Sequence, residues 1–155
     1  MQCVLGVRAE PNAIHWAVVT GTSKRPVLHA HGTETVPQAC KEGESLAWIR
    51  QKVVYIIETF TPAKVAVRYP ERTAQGANKD SAKARCRVEG VVVEAAGSKN
   101  LEIVTGAMNT FGKHCESESP KEDLASEGLR GLDWSDYKKE LREAIYVAFS
   151  LLPKG

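Results

Sequence analysis

Two glutamates three residues apart, Glu140 and Glu143, stand near the C-terminal end of the chain, followed by the apolar run Ala144-Ile145-Tyr146-Val147-Ala148. On a helix that spacing lets two carboxylates point together. The competing reading is ordinary helix surface, with Lys139 and Arg142 beside them for ion pairing. A second group is basic. Lys79, Lys83 and Arg87 recur at steps of four and form a positive helix face, with Arg72 and Arg85 close by. Such a face can follow a phosphate backbone, although Glu89 and Glu94 also suit a plain solvated face. His29-Ala30-His31 on a strand would put two imidazoles on one face. With His15 they are expected to be surface histidines, because no third metal ligand accompanies them. Cys3, Cys40, Cys86 and Cys115 are scattered without zinc spacing and read as free, structural thiols in a reducing compartment.

The elements that must position these groups follow from periodicity. Val4 to Val7 is a short apolar run, and Glu10-Pro11-Asn12 is a turn signal that places Glu10 in the turn. Ile14, Trp16 and Val18 alternate as in a strand, and Val27 to Thr35 is a more polar strand suited to a sheet edge. The chain therefore opens with an antiparallel meander. Ser45 is a candidate cap for a helix on which Leu46, Ile49, Val53, Ile56 and Phe60 share one face, closed by Pro62. Val65 to Val67 is a strand. A second helix is expected from about Asn78 to Ala96, with Gly97 at its C-cap, followed by a strand over Leu101 to Val104. One or two helical turns follow at Met108 to His114. The acidic stretch 116–131 is expected as a mobile loop or short helix. Asp133 or Ser135 is expected to cap a last helix with Leu141, Ala144, Ile145, Ala148 and Leu152 on one face.

Composition bounds the partners. The 155 residues suit one domain, spanning 1–155, and 43% hydrophobic against 26% charged residues describe a folded globular chain. A net charge of +2 is small for a duplex binder, so any nucleic-acid role falls to a local patch. No apolar run approaches the ~20 residues that span a bilayer, and the N-terminus has no signal-peptide pattern. No membrane association and a cytoplasmic location are expected.

The order of three antiparallel strands, helix, strand, helix, strand and terminal helix resembles the ribonuclease H-like fold. This is an α/β architecture with a mixed five-stranded sheet, three strands antiparallel and two parallel, flanked by helices. Several stretches resemble RuvC-type Holliday junction resolvases and their small, catalytically degenerate relatives. Val4-Leu5-Gly6-Val7 resembles the first-strand motif that in the family continues into Asp-Pro-Gly. Phe60 to Val67 resembles the lead-in to the strand that ends in a catalytic glutamate. Asp80-Ser81-Ala82 and Glu89 to Ala96 resemble the helix after it, and Glu140 and Glu143 sit where the family has two acids three apart.

The resemblance implies a site of three or four carboxylates holding two Mg²⁺ ions that activate water against a phosphodiester. This chain departs from it. Arg8 stands at the first acid position, and a guanidinium repels Mg²⁺. Counting forward from Pro62 puts Arg68 at the second acid position. Counting back from Gly90 puts Glu71 there, with an insertion around Tyr69-Pro70. Glu71, Glu140 and Glu143 are thus the candidate catalytic acids, with Glu10 a distant substitute. Lys79, Lys83, Arg85 and Arg87 are the candidate nucleic-acid contacts. Three functions remain open. One is a pseudo-nuclease that binds DNA, RNA or a protein without metal, with Arg8 and Arg68 paired to the terminal-helix glutamates. The second is an active Mg²⁺-dependent structure-specific endonuclease. The third is an interaction module, a homodimer as related resolvases are. No cofactor is expected unless the second holds.

Overall fold

The computed structural model describes residues 2–71 and 79–155. Arg72, and the start of the second helix expected at Asn78, lie outside the described residues. The first three strands are β1 (Val4–Glu10), β2 (Ala13–Gly21) and β3 (Pro26–Thr35). They are followed by α1 (Glu42–Phe60), β4 (Lys64–Arg68), α2 (Asp80–Ser98) and β5 (Glu102–Gly106). The five strands form one sheet in the order β3-β2-β1-β4-β5. The β1–β2 and β2–β3 pairs are antiparallel, and the β1–β4 and β4–β5 pairs are parallel. β1 lies at the centre, which is why its run is apolar on both faces: a central strand covered on both sides has no solvent side to leave polar.

Alternation along β1 sorts its side chains between two layers. Leu5, Val7 and Ala9 pack with Ile49, Val53, Val88 and Val92 of α1 and α2. Val4, together with Ala17, Val19 and Ala66 from the neighbouring strands, packs against α5 (Lys139–Ser150) on the opposite face. Gly6 belongs to this second face, and there α5 touches the strand backbone. A Cβ at Gly6 would lie 2.0 Å from the Ala144 carbonyl oxygen and 2.8 Å from the Ala148 methyl. Only glycine permits that approach.

α5 is buried far beyond the single apolar face expected. Every residue from Glu143 to Ser150 is buried, because a further layer covers the side turned away from the sheet. That layer is α3 (Met108–His114), α4 (Pro120–Ala125) and a hairpin of β6 (Gly128–Leu129) and β7 (Leu132–Asp133). Phe111, Leu124 and Trp134 carry it into the same core as Tyr146 and Phe149. The acidic stretch 116–131 therefore holds a helix and the first strand of a hairpin, whose turn residues Arg130 and Gly131 both have positive φ, as a tight hairpin requires. Ser119 caps α4 by accepting from the Glu122 amide.

Other expected caps are displaced. α1 starts at Glu42 with Lys41 at its cap position, so Ser45 lies inside the first turn; Glu42 and Glu44 favour that start through the helix dipole. α2 continues through Gly97 to Ser98, and Asn100, two residues on, takes the left-handed conformation. α5 begins at Lys139 after Lys138, while Asp133 instead accepts from Ser135 in the preceding turn. Glu10 is the last residue of β1 and not part of the turn.

Candidate functional site

The site is built on the C-terminal ends of β1 and β4, the two parallel strands at the sheet centre. Arg8 and Arg68 are directly paired in the parallel register, and Arg8 also faces His15 across the antiparallel pair. By alternation Arg8 shares the α5 face of β1 with Gly6. The contact at Gly6 holds the first turns of α5 above the strand ends, so Glu143 descends between the two guanidiniums.

Glu143 is 2% exposed. Its Oε1 lies 2.8 Å from Arg68 Nε and 3.6 Å from Arg8 Nε. These are Coulombic contacts more than hydrogen bonds: Arg8 Nε, Arg68 Nε and Glu143 Oε1 are all buried and find no aligned partner among the described residues. The guanidiniums are turned partly towards the backbone. Arg8 Nη1 donates to the Ala9 carbonyl at 2.6 Å and Arg68 Nη1 to the Tyr69 carbonyl at 2.5 Å. Glu71, exposed at the strand end, approaches Arg68 Nη2 at 3.9 Å. Glu140, half-buried one turn before Glu143, enters no ion pair among the described residues. Of the three candidate acids, then, Glu143 is central, Glu71 peripheral and Glu140 apart. Arg142 is not salt-bridge company for either glutamate. It donates to the carbonyls of Tyr137, Leu124, Ser126 and Ser135 and ties α5 to the end of α4 and to the turn before α5.

A second ion pair joins this centre from α2. Arg85 Nε donates to Glu89 Oε2 at 3.1 Å, and Glu89 is 3% exposed. Burial pushes the Arg85 guanidinium down from its ordinary pKa, and the positive charge of Arg8 pushes the same way, with Arg68 adding to it. Burial likewise raises the Glu89 carboxyl, against the pull of Arg85, Arg8 and Arg68. The Arg85–Glu89 pair thus lies within the electrostatic field of Arg8 and Arg68. The sequence suggests a phosphate-binding face for Arg85 and a solvated position for Glu89. Both belong instead to the buried side of α2, and their i, i+4 spacing was the available signal. Lys79, Lys83 and Arg87 are exposed as expected, Arg87 lying 3.7 Å from Glu42.

The histidines divide. His15 is buried, not a surface residue: Nε2 lies 2.6 Å from Glu10 Oε2 and Nδ1 2.9 Å from Thr33 Oγ1. His29 and His31 do not share a face, because the β2–β3 register slips between Val18 and Val19 and leaves His29 as the extra residue. His29 packs edge-on against Phe60 of α1, whereas His31 packs against Tyr137 on the α5 side. All four cysteines are free. Among the described residues no group of three or more His, Cys, Asp and Glu side chains is arranged to hold a metal ion, and no helix is long and apolar enough to cross a membrane.

Sheet order, helix layers and the placement of the site at the ends of β1 and β4 define a ribonuclease H-like fold, and within it the chain resembles RuvC-type Holliday junction resolvases. No family model matches the chain. The structure of Thermus thermophilus RuvC in complex with Holliday junction substrate superposes with a TM-score of 0.77 at 17% identity, covering 97% of this chain and 92% of that one. The yeast mitochondrial Holliday junction resolvase superposes with a TM-score of 0.60 at 12% identity, covering 96% and 77%. In sequence, the crossover junction endodeoxyribonuclease RuvC of Xanthobacter autotrophicus is 29% identical over 100 residues, which are 64% of this chain and 57% of that relative. The match thus spans little more than half of the curated relative's length.

Proposed function

We propose that this chain is a RuvC-like pseudo-nuclease, a nucleic-acid-binding domain that does not carry out metal-dependent cleavage. The observation that carries the reading is the pair of contacts from Arg68 and Arg8 to one oxygen of Glu143. A two-metal centre needs several carboxylates converging on cations. Here the one buried acid on α5 is bracketed by two fixed positive charges, which occupy the electrostatic role of the metals. A pair of Mg²⁺ ions does not fit this centre. Glu71 is exposed and directed at Arg68, Glu10 is engaged with His15, and Glu140 stands outside the cluster.

Binding then rests on cations. The charges at the strand ends balance, Arg8, Arg68 and Arg85 against Glu71, Glu89 and Glu143, so the attraction for a phosphate backbone falls to the surface beside them. The exposed Lys79 and Lys83 at the start of α2 supply it. Phosphates attract such a surface without any metal. The T. thermophilus relative was captured with a Holliday junction, which makes branched DNA the first ligand to try here.

The test combines calorimetry and gel shift on the full chain. Titration with Mn²⁺ is expected to give no binding heat, while four-way and linear DNA are shifted in EDTA. Mg²⁺-dependent cleavage of a four-way junction would overturn the reading in favour of a rearranged active endonuclease using Glu10, Glu71, Glu140 and Glu143. Absence of any shift with DNA or RNA would leave a protein-interaction module, for which a homodimer is the simplest form.

A further inference from the structure

A cavity of about 610 Å³ opens beside Arg68 and Glu143, between the end of β4 and helices α3, α4 and α5. That volume suits a small organic body. Its floor is apolar: Met108, Pro120 and Leu124 are all buried. Lys121 and Lys139 stand exposed on its rim, and neither lies in an ion pair among the described residues. Arg68 closes the inner end, where its charge is taken up by Glu143 and Glu71, which line the cavity with it. Arg142 also lines the cavity, but its guanidinium is engaged by backbone carbonyls, so it shapes the wall and offers no free charge.

An apolar floor and two uncommitted cations on the rim complement a ligand with a flat, weakly polar body and an anionic edge turned to that rim. We propose that this cavity takes one unstacked nucleotide of a bound strand. The inference rests on the nucleic-acid-binding reading above and names what that site selects. The base lies over Met108 and Leu124, where a thioether makes favourable contact with an aromatic ring. Its phosphate faces Lys139 and Lys121, away from the carboxylates at the inner end. Drawing a base out of a stack costs least where the nucleotide is already unpaired. The preferred ligand is therefore DNA or RNA carrying a bulged nucleotide, and a fully paired duplex binds through phosphate contacts alone.

The experiment compares three duplexes of one sequence in a fluorescence-anisotropy titration with the full chain: fully paired, with a single bulged adenosine, and with an abasic bulge at the same place. The bulged adenosine duplex is expected to bind about tenfold more tightly than the other two. Ala125→Trp, at an exposed position lining the cavity, is expected to abolish that preference while leaving the paired duplex unchanged. Lys139→Glu is expected to weaken all three and keep their order. Equal affinity for the three duplexes overturns the proposal, as does a preference that survives Ala125→Trp. If no duplex binds, the nucleic-acid reading itself fails, and calorimetry with deoxyadenosine 5′-monophosphate then decides the cavity. Binding heat that is lost in Ala125→Trp and absent with deoxyribose 5-phosphate supports a nucleotide site, and no heat overturns it.

Discussion

Arg8 and Arg68 stand side by side in the parallel register of β1 and β4, and both guanidiniums reach the same oxygen of Glu143. Two like charges on neighbouring strands repel unless a counter-charge lies between them, and α5 delivers that counter-charge into a site almost closed to water. The three groups are therefore interdependent, and each alone would be an uncompensated charge.

Removing the counter-charge tests this directly. Glu143→Ala leaves two poorly solvated guanidiniums facing each other and is expected to cost about 3 kcal/mol of stability. Glu143→Gln, which keeps the shape, is expected to lose less than Glu143→Ala. The triple change Arg8→Met, Arg68→Met, Glu143→Leu is expected to lie close to the parent. Urea unfolding with an unchanged slope reads all three. A Glu143→Ala midpoint equal to that of the parent would show that the interaction carries no weight.

Gly6 is the point on which the placement of Glu143 depends. A Cβ there meets the Ala144 carbonyl at 2.0 Å, and backbone cannot yield as a flexible side-chain end does. Gly6→Ala is expected to destabilise by at least about 2 kcal/mol through forced movement of α5. The change should also alter near-ultraviolet circular dichroism through Tyr146 and Phe149. A variant as stable as the parent would mean that α5 does not rest on β1 as described.

The α2 pair predicts a pH dependence of definite sign. Burial, the dominant cause, raises the Glu89 carboxyl above its ordinary value of 4.5 in the folded chain. A raised acid binds its proton more tightly when folded, so its contribution to stability is full below the ordinary value and declines as pH rises through the folded one. Arg85, though lowered, stays protonated across this window and adds no slope. The double variant Arg85→Met/Glu89→Met removes the slope. Its stability relative to the parent is therefore expected to increase from pH 4 towards neutrality, followed by urea unfolding at each pH. A relative stability that falls over this range would reverse the sign and reject the assignment.

The exposed start of α2 makes a separate prediction about ions. If Lys83 and Arg87 each neutralise a phosphate, Lys83→Glu/Arg87→Glu weakens DNA binding for every sequence. It also flattens the plot of log affinity against log salt by about one unit for each phosphate left without its cation. An unchanged slope would move the phosphate track elsewhere on the surface. Arg85 is outside this set, because its charge is committed to Glu89.

Sequence alone determined the succession of strands and helices along the chain from β1 to β5, because strand and helix periods are written locally, while the mixed sheet was implied by the resemblance to the ribonuclease H-like fold. Val4–Val7, Ile14–Thr20 and Val65–Val67 alternate or run apolar over a few residues, and α1 shows its face at steps of three and four. It also marked Arg8 and Arg68 as departures from an acidic pattern and Glu143 as a candidate acid. Tertiary structure decided what these residues are to one another. Burial of a charged side chain depends on partners distant in the chain: Glu143 is enclosed because Gly6 admits α5, and Glu140 a turn away is not. Periodicity marks one apolar face of α5 but cannot say that α3, α4 and the hairpin cover the other. The same limit hid His15 beneath Glu10 and Thr33, turned His29 away from His31 through a one-residue bulge, and paired Arg85 with Glu89 on the buried side of α2 instead of an assumed surface.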